Sequence, residues 1–536
     1  MYDSDSFMFL QNQAARFDSP QFHVKQMIKT PGRLEQFSLA VPGFFFDFSR
    51  QRLDQQTKNG LVSLAKETQA KKMFSRMVLG DKVNATENRA ALHTAARALF
   101  DGNLVPEDAD IMNDMKKVNQ AIDLFSAKIH QGHLTGTKKK PFTDAVVVGI
   151  GGSYLGCEFV YEALKACHTP KIALHFLSNV DIDNFAQVTA AVNPDTCLWI
   201  IVSKSYTTTE TLANLAQAKA YLKRNHLLPR DHLVTITAKG SPGDDPSNPV
   251  LESFDMFDFI GGRYSVSSAV GGVPLALAFG YDVFERFLKG CHTMDSHALC
   301  AAESENIPLM AALVSIWNIQ ILGYSAQAVI PYSSALSKLA PHVQQLYMES
   351  LGKAVDKTGT PLPRPAGSIV FGEPGTNAQH SFFQLAHQGP VFPVEFIGVL
   401  TPGYAGDQVT AKGVFNHQEL WANLIAQTLA LAEGMDHEVP ARAFLGNRPS
   451  SLLVVDDLSP ESIGMLLSFY EARTVFEGFI LNINPFDQFG VELGKVLASG
   501  IRKEMADKNQ DPDHSLTHMS STAAFYIRSL FAGKIG

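Results

Sequence analysis

Cysteine is scarce. Five occur in 536 residues, Cys157, Cys167, Cys197, Cys291 and Cys300, and none stands in C-x-x-C spacing. An odd, scattered set excludes a disulfide framework and a zinc ribbon. These thiols read as small buried hydrophobes in a reducing, cytoplasmic setting. Charge is also thin, at 18% Asp, Glu, Lys and Arg against a typical value of about 25%. Positive charge is not in excess: 45 basic residues face 53 acidic ones, for a net −8. Bulk charge therefore favours no polyanion, and no basic–aromatic stripe points to nucleic acid. The N-terminal stretch MYDSDSFMFLQNQ has neither a basic segment nor a long apolar one, so no signal peptide is expected. Only Pro308 to Leu336 is long and uncharged, but Ser315, Asn318, Gln320, Ser325 and Gln327 interrupt it. Such groups are costly in lipid, so the stretch reads as a buried central helix and no membrane partner is expected. With 45% apolar residues the chain is globular, not disordered. At ~150 residues per domain, two α/β domains with helical extensions fit its length.

What is present has a clear order. Residues 1 to about 115 read as helical and amphipathic, with Gly60–Ser75 and the Ala-rich Asn88–Leu99 as examples. Short continuous apolar runs rich in β-branched residues follow: Asp144–Ile150, Ile172–Ser178, Thr196–Val202 and His232–Thr237. A second series comprises Ser368–Phe371, Val394–Leu400 and Leu452–Val455. Buried strands alternating with helices predict parallel sheets with crossover helices, split near residue 285.

Six segments could carry chemistry. Gly149-Ile-Gly-Gly-Ser153 follows a strand, where glycines let a ligand approach the next helix N-terminus. A tight structural turn fits equally well. Ser203-Lys-Ser-Tyr-Thr-Thr-Thr-Glu-Thr211 also follows a strand, and its hydroxyls, its ammonium and its backbone N–H groups suit a phosphate. Helix capping would need only one or two of them. This segment does not separate a sugar phosphate from a nucleotide. Gly261-Gly-Arg-Tyr-Ser265 offers Arg263 to an oxyanion, or to a salt bridge. Glu349 lies in the weakly polar Gln345–Lys353, where a carboxylate serves as a base if it is shielded and is an ordinary surface group if not. Gly372-Glu-Pro-Gly-Thr-Asn-Ala-Gln-His380 brings a histidine near a strand end. Phe486–Lys495 carries Gln488 and Lys495 seven apart, on one face if helical. No metal-ligand spacing is apparent: His130 and His133 lack acidic partners, and Glu107, Asp108, Asp110 and Asp114 read as a solvated helix face.

Together and in this order, the six segments resemble the phosphoglucose isomerase family, of the sugar isomerase (SIS) fold. The resemblance runs from about residue 40 to 500. GGRYSVSSAVG at 261–271 and FDQFGVELGK at 486–495 are its most specific stretches. It implies two doubly wound α/β/α domains of SIS type with mainly parallel sheets, at 116–285 and 286–505. A helical extension, 1–115, and a helical tail, 506–536, flank them. The implied reaction, a step of glycolysis and gluconeogenesis, interconverts glucose 6-phosphate and fructose 6-phosphate with no cofactor and no metal. In that reading Gly152 and Ser153 lie beside the substrate, and Ser203, Lys204, Ser205, Thr207 and Thr208 hold its phosphate. His380, helped by Lys495, opens the ring. Glu349 moves the proton between C2 and C1, Arg263 stabilises the enediolate, and Gln345 and Gln488 orient the sugar. His380 would come from the neighbouring subunit of a homodimer. The chain departs from the family pattern at Tyr154, Ser205, Tyr206, Thr209, Leu351 and Phe489. An enzyme that also accepts mannose 6-phosphate would share these motifs. A sugar-phosphate sensor would not need Glu349, Arg263, His380 and Lys495, yet all four are here.

Overall fold

The computed structural model describes residues 1–100 and 102–535. It is a mixed α/β protein with two sheets. The first, all parallel, has β3 (Asp144–Val148), β4 (Ala173–Leu177), β5 (Cys197–Val202), β6 (Leu233–Thr237) and β7 (Glu252–Asp255), in the order β4-β3-β5-β6-β7. The central strands are apolar without alternation, because helices cover both faces; every residue of β5 and β6 is buried. The second sheet contains β1 (Ser38–Val41), β2 (Phe44–Asp47), β8 (Ala326–Pro331), β9 (Ile369–Phe371), β10 (Val394–Val399) and β11 (Ser450–Val455). Its order is β1-β2-β11-β10-β8-β9. Strands β11, β10, β8 and β9 run parallel, whereas β2 pairs with β11 antiparallel, Asp47 opposite Leu452.

Both sheets share one winding. From its first parallel strand the chain passes to one neighbour, then crosses to the other side: β3 to β4 to β5, and β8 to β9 to β10. In open α/β sheets that reversal opens a crevice at the carboxyl ends of the two central strands.

Several expectations are corrected. Residues 1–115 are not all helical, because β1 and β2 form a hairpin across Pro42-Gly43 and join the second sheet. Gly43 sits at φ +80°, a backbone that a Pro-Gly turn supplies readily. The helix expected over 60–75 is two helices, Gln55–Glu67 and Ala70–Leu79, broken at Gln69. Asn88–Leu99 forms only a 3-10 turn, His93–Arg97. The uncharged stretch is not one central helix: Ile307–Ile316 runs into a π-helical turn, Trp317–Ile321, and then β8 begins. No helix among the described residues is long and apolar enough to cross a membrane.

The core of this fold also buries charge. Arg97 is fully buried, donating from Nε and Nη2 to Asp295 at 2.5 and 3.0 Å and from Nη1 to Glu471 at 2.6 Å. The triad ties the 93–97 turn to the helices Tyr281–Cys300 and Pro460–Ile480. Burial pushes the Glu471 carboxyl up to about 7, even with the guanidinium beside it.

The chain divides into two compact units, Met1–Phe486 and Asp487–Gly536. The second holds a 3-10 turn, Phe489–Val491, and two helices, Glu492–Gln510 and Ser521–Ala532.

Candidate active site

The crevice of the first sheet lies between the carboxyl ends of β3 and β5. The glycine turn leaves β3, and the Ser/Thr segment leaves β5. Gly152 packs backbone to backbone on the 261–263 loop: a β-carbon there would stand 2.2 Å from the Gly262 carbonyl carbon and 2.5 Å from the Arg263 nitrogen. Ser265 Oγ donates to the Gly152 carbonyl at 3.3 Å. Gly152→Ala is therefore expected to displace this loop and lower kcat about 100-fold. Steady-state rates beside a circular dichroism spectrum check this, and a wild-type rate would show that the contact does not matter.

Arg263 is buried, 2% exposed, and every nitrogen has a structural partner. Nε donates to Ser350 Oγ at 2.7 Å, Nη2 to the Pro485 carbonyl at 2.7 Å, and Nη1 to Glu349 Oε2 at 3.2 Å. Its aim is fixed before any ligand arrives. Glu349 lies on the helix Leu339–Leu351, which follows β8. One turn earlier on the same face, Gln345 Nε2 donates to the same Glu349 oxygen at 3.2 Å. Gln345 also faces the turn after β3, with Nε2 3.0 Å from where a Gly151 β-carbon would sit. Gln345 Oε1 is a buried acceptor with no hydrogen-bond partner among the described residues. Below this pair, Tyr264 shares Ser350 Oγ at 3.0 Å and stacks on His93. Burial pushes the Tyr264 phenol up to about 12.

The Ser/Thr segment joins the same cluster. Lys204 Nζ donates to the carbonyls of Asp258 at 2.8 Å and Ile260 at 3.3 Å, directly before the Gly261-Gly262-Arg263 loop. Burial lowers its ammonium, opposed by Asp258. Ser205 and Thr207 share a hydroxyl hydrogen bond at 2.6 Å and are exposed; Ser203 Oγ lies 3.5 Å from Thr208 Oγ1. Tyr206, between them, holds φ +53°. The 16-residue helix Thr209–Arg224 begins here, and no side chain among the described residues caps it. Its first N–H groups and positive dipole end face the segment that carries the hydroxyls.

The remaining expected residues are placed differently. His380 ends the 3-10 turn Ala378–His380 and is exposed; among the described residues no hydrogen bond joins its ring to Glu349 or Arg263. Gln488 and Lys495 lie in the second unit. Lys495 is exposed on the first turn of Glu492–Gln510, while Gln488 precedes the 3-10 turn. The seven-residue spacing thus does not put Gln488 on the helix face of Lys495. Leu351 is fully buried among apolar side chains. Sequence reading passed over Ser350, Tyr264 and the Pro485 carbonyl, although the first two adjoin Glu349 and Arg263 in the chain.

Two 2-1-3 windings with a carboxylate–guanidinium pair beside a hydroxyl-rich strand end define a doubly wound α/β protein of the kind that holds small anionic ligands. Comparison with known proteins narrows the class. The model of the phosphoglucose isomerase family matches residues 47–525. A glucose-6-phosphate isomerase of Desulfosudis oleivorans is 55% identical over 532 residues, 98% of this chain and 97% of the relative. The cytosolic glucose-6-phosphate isomerase of Arabidopsis thaliana is 40% identical, over 91% of this chain and 90% of its own length. The crystal structure of a glucose-6-phosphate isomerase from Chlamydia trachomatis superposes with a TM-score of 0.90 at 37% identity, covering 99% of both chains. The chain belongs to the phosphoglucose isomerase family.

Proposed function

We infer that this protein is an aldose–ketose isomerase that interconverts glucose 6-phosphate and fructose 6-phosphate. The observation that carries the reading is Arg263 against Glu349 at 3.2 Å, buried and braced by Ser350 and the Pro485 carbonyl. A C–H beside a carbonyl is a very weak acid. A general base needs a fixed cation where the enediolate charge develops, and such a donor contributes about 3 kcal/mol.

In the proposed cycle, Ser203, Lys204, Ser205, Thr207, Thr208 and the Thr209–Arg224 helix start bind the phosphate. Lys204 acts partly by fixing the 258–260 backbone. Gly152 and Ser153 line the sugar's approach, and the unpaired Gln345 Oε1 accepts from a sugar hydroxyl. His380, contributed by the partner subunit of a homodimer, opens the ring with Lys495 by moving a proton between O5 and O1. Glu349 then takes the C2 proton and returns it to C1 on the same face, while Arg263 stabilises the cis-enediolate. Gln488 orients the substrate. An exposed His380 outside the Arg263–Glu349 cluster supports a role across an interface. We propose the same footing for the domain division: an extension, 1–115, two SIS-type domains, 116–285 and 286–505, and a tail, 506–536.

Proton NMR of glucose 6-phosphate in D2O tests the reading. Fructose 6-phosphate carrying deuterium at C1, or deuterium entering C2, is the expected result. Sugar phosphate that binds without conversion or exchange would overturn it.

A further inference from the structure

The second unit carries a cluster that the proposed reaction does not use. Glu504 and Asp507 stand one turn apart on the helix Glu492–Gln510, and His514 and His518 lie in the loop before Ser521–Ala532. Both imidazoles converge on one carboxylate: His514 Nε2 is 2.8 Å from Glu504 Oε2, and His518 Nε2 is 3.1 Å from Glu504 Oε1. Ligand atoms of Glu504, Asp507 and His514 lie within 4.8 Å of one another, each side chain half-buried. The spacing Glu-x2-Asp-x6-His-x3-His is one that the sequence reading passed over.

We propose that Glu504, Asp507, His514 and His518 form a structural binding site for a divalent transition-metal ion, Zn2+ foremost. Two imidazole nitrogens with two carboxylates suit a four-coordinate zinc ion, and imidazole selects against magnesium and calcium. Zinc holds such ligands at about 2.0–2.2 Å; Glu504, Asp507 and His514 already stand close together, and the exposed His518, in contact with Glu504, can turn in as the fourth ligand. The ion would replace the imidazole protons now shared with Glu504. The unit has reason to use such a clip. Its buried apolar core is Leu516, Ala524 and Ile527, with Ile501, Met505 and Met519 packed on it. A core that small gains stability when a metal closes a loop onto a helix.

The test uses the full-length chain, stripped with chelator and titrated calorimetrically with ZnCl2 alone. The expected result is one zinc per chain with an affinity in the micromolar range or tighter. In the His514→Ala/His518→Ala variant that affinity should fall tenfold or more. Glu504→Gln, which keeps the side-chain shape, should weaken it as well, and circular dichroism identifies any variant that has not folded. Cobalt substituted for zinc should give visible ligand-field bands that the double variant lacks. Equal zinc affinity in wild type and in a folded variant, or no saturable binding by the wild type, overturns the proposal.

Discussion

Glu349→Gln is expected to lower turnover by roughly 10³–10⁴-fold while substrate affinity changes little. An amide has the shape of the carboxylate and cannot take up the C2 proton. Its oxygen can still accept from Arg263 Nη1, and Arg263 keeps Ser350 and the Pro485 carbonyl whichever group stands at 349. The guanidinium therefore stays in place, and the phosphate segment Ser203–Thr208, more than 140 positions before Glu349 in the chain and bonded to neither group by its side chains, is untouched. Rates in both directions, with the Kd of a phosphorylated sugar acid, check the split. A variant with wild-type turnover would remove Glu349 from the role of base. A variant that loses binding in proportion to rate would make it a substrate anchor.

The second large effect concerns stability. Arg97→Ala removes the only cation named in the triad and leaves Asp295 and Glu471 facing each other in the interior. Breaking a buried pair in this way costs about 3–5 kcal/mol, because an uncompensated charge stays buried. The pH dependence has a definite sign. Burial already raises Glu471 to about 7, and loss of the guanidinium raises it further. A carboxyl with a raised folded-state pKa contributes its full stability below the unfolded value near 4 and loses it as pH rises. The melting temperature of the variant should thus lie several degrees below that of wild type at pH 8, and closer to it at pH 5.5. A deficit independent of pH would mean that lost packing, not stranded charge, sets the cost.

Legibility in the sequence followed burial and punctuation. Strands β3, β5 and β6 stood out because both faces are covered, so apolar β-branched residues run without a break. Strand β8 was invisible inside an uncharged stretch; the one mark of its start was the turn at Gly323, φ +77°. Strand β7 is a polar edge with no apolar alternation to announce it. Asn88–Leu99 has helix-forming composition, yet the native backbone there is set by where Arg97 must reach, and tertiary demand overrode propensity. At the site, residue types were readable from the motifs, because chemistry needs those groups. Their mutual aim was not. Nothing in Met-Glu-Ser says that Ser350 turns to Arg263, a partner 87 positions away.

The antiparallel seam between Phe44–Asp47 and β11 has a consequence for synthesis. The strands of the first sheet lie within residues 144–255, so that sheet can form soon after it leaves the ribosome. The hairpin of β1 and β2 emerges well before its partner, which is about 400 residues further on, a wait of roughly 20–80 s at ordinary elongation rates. For that interval the nascent chain carries Phe44, Phe45 and Phe46 with no sheet to join. That makes Phe44–Asp47, a strand made long before the β11 edge it pairs with, a segment in particular need of chaperone cover during translation.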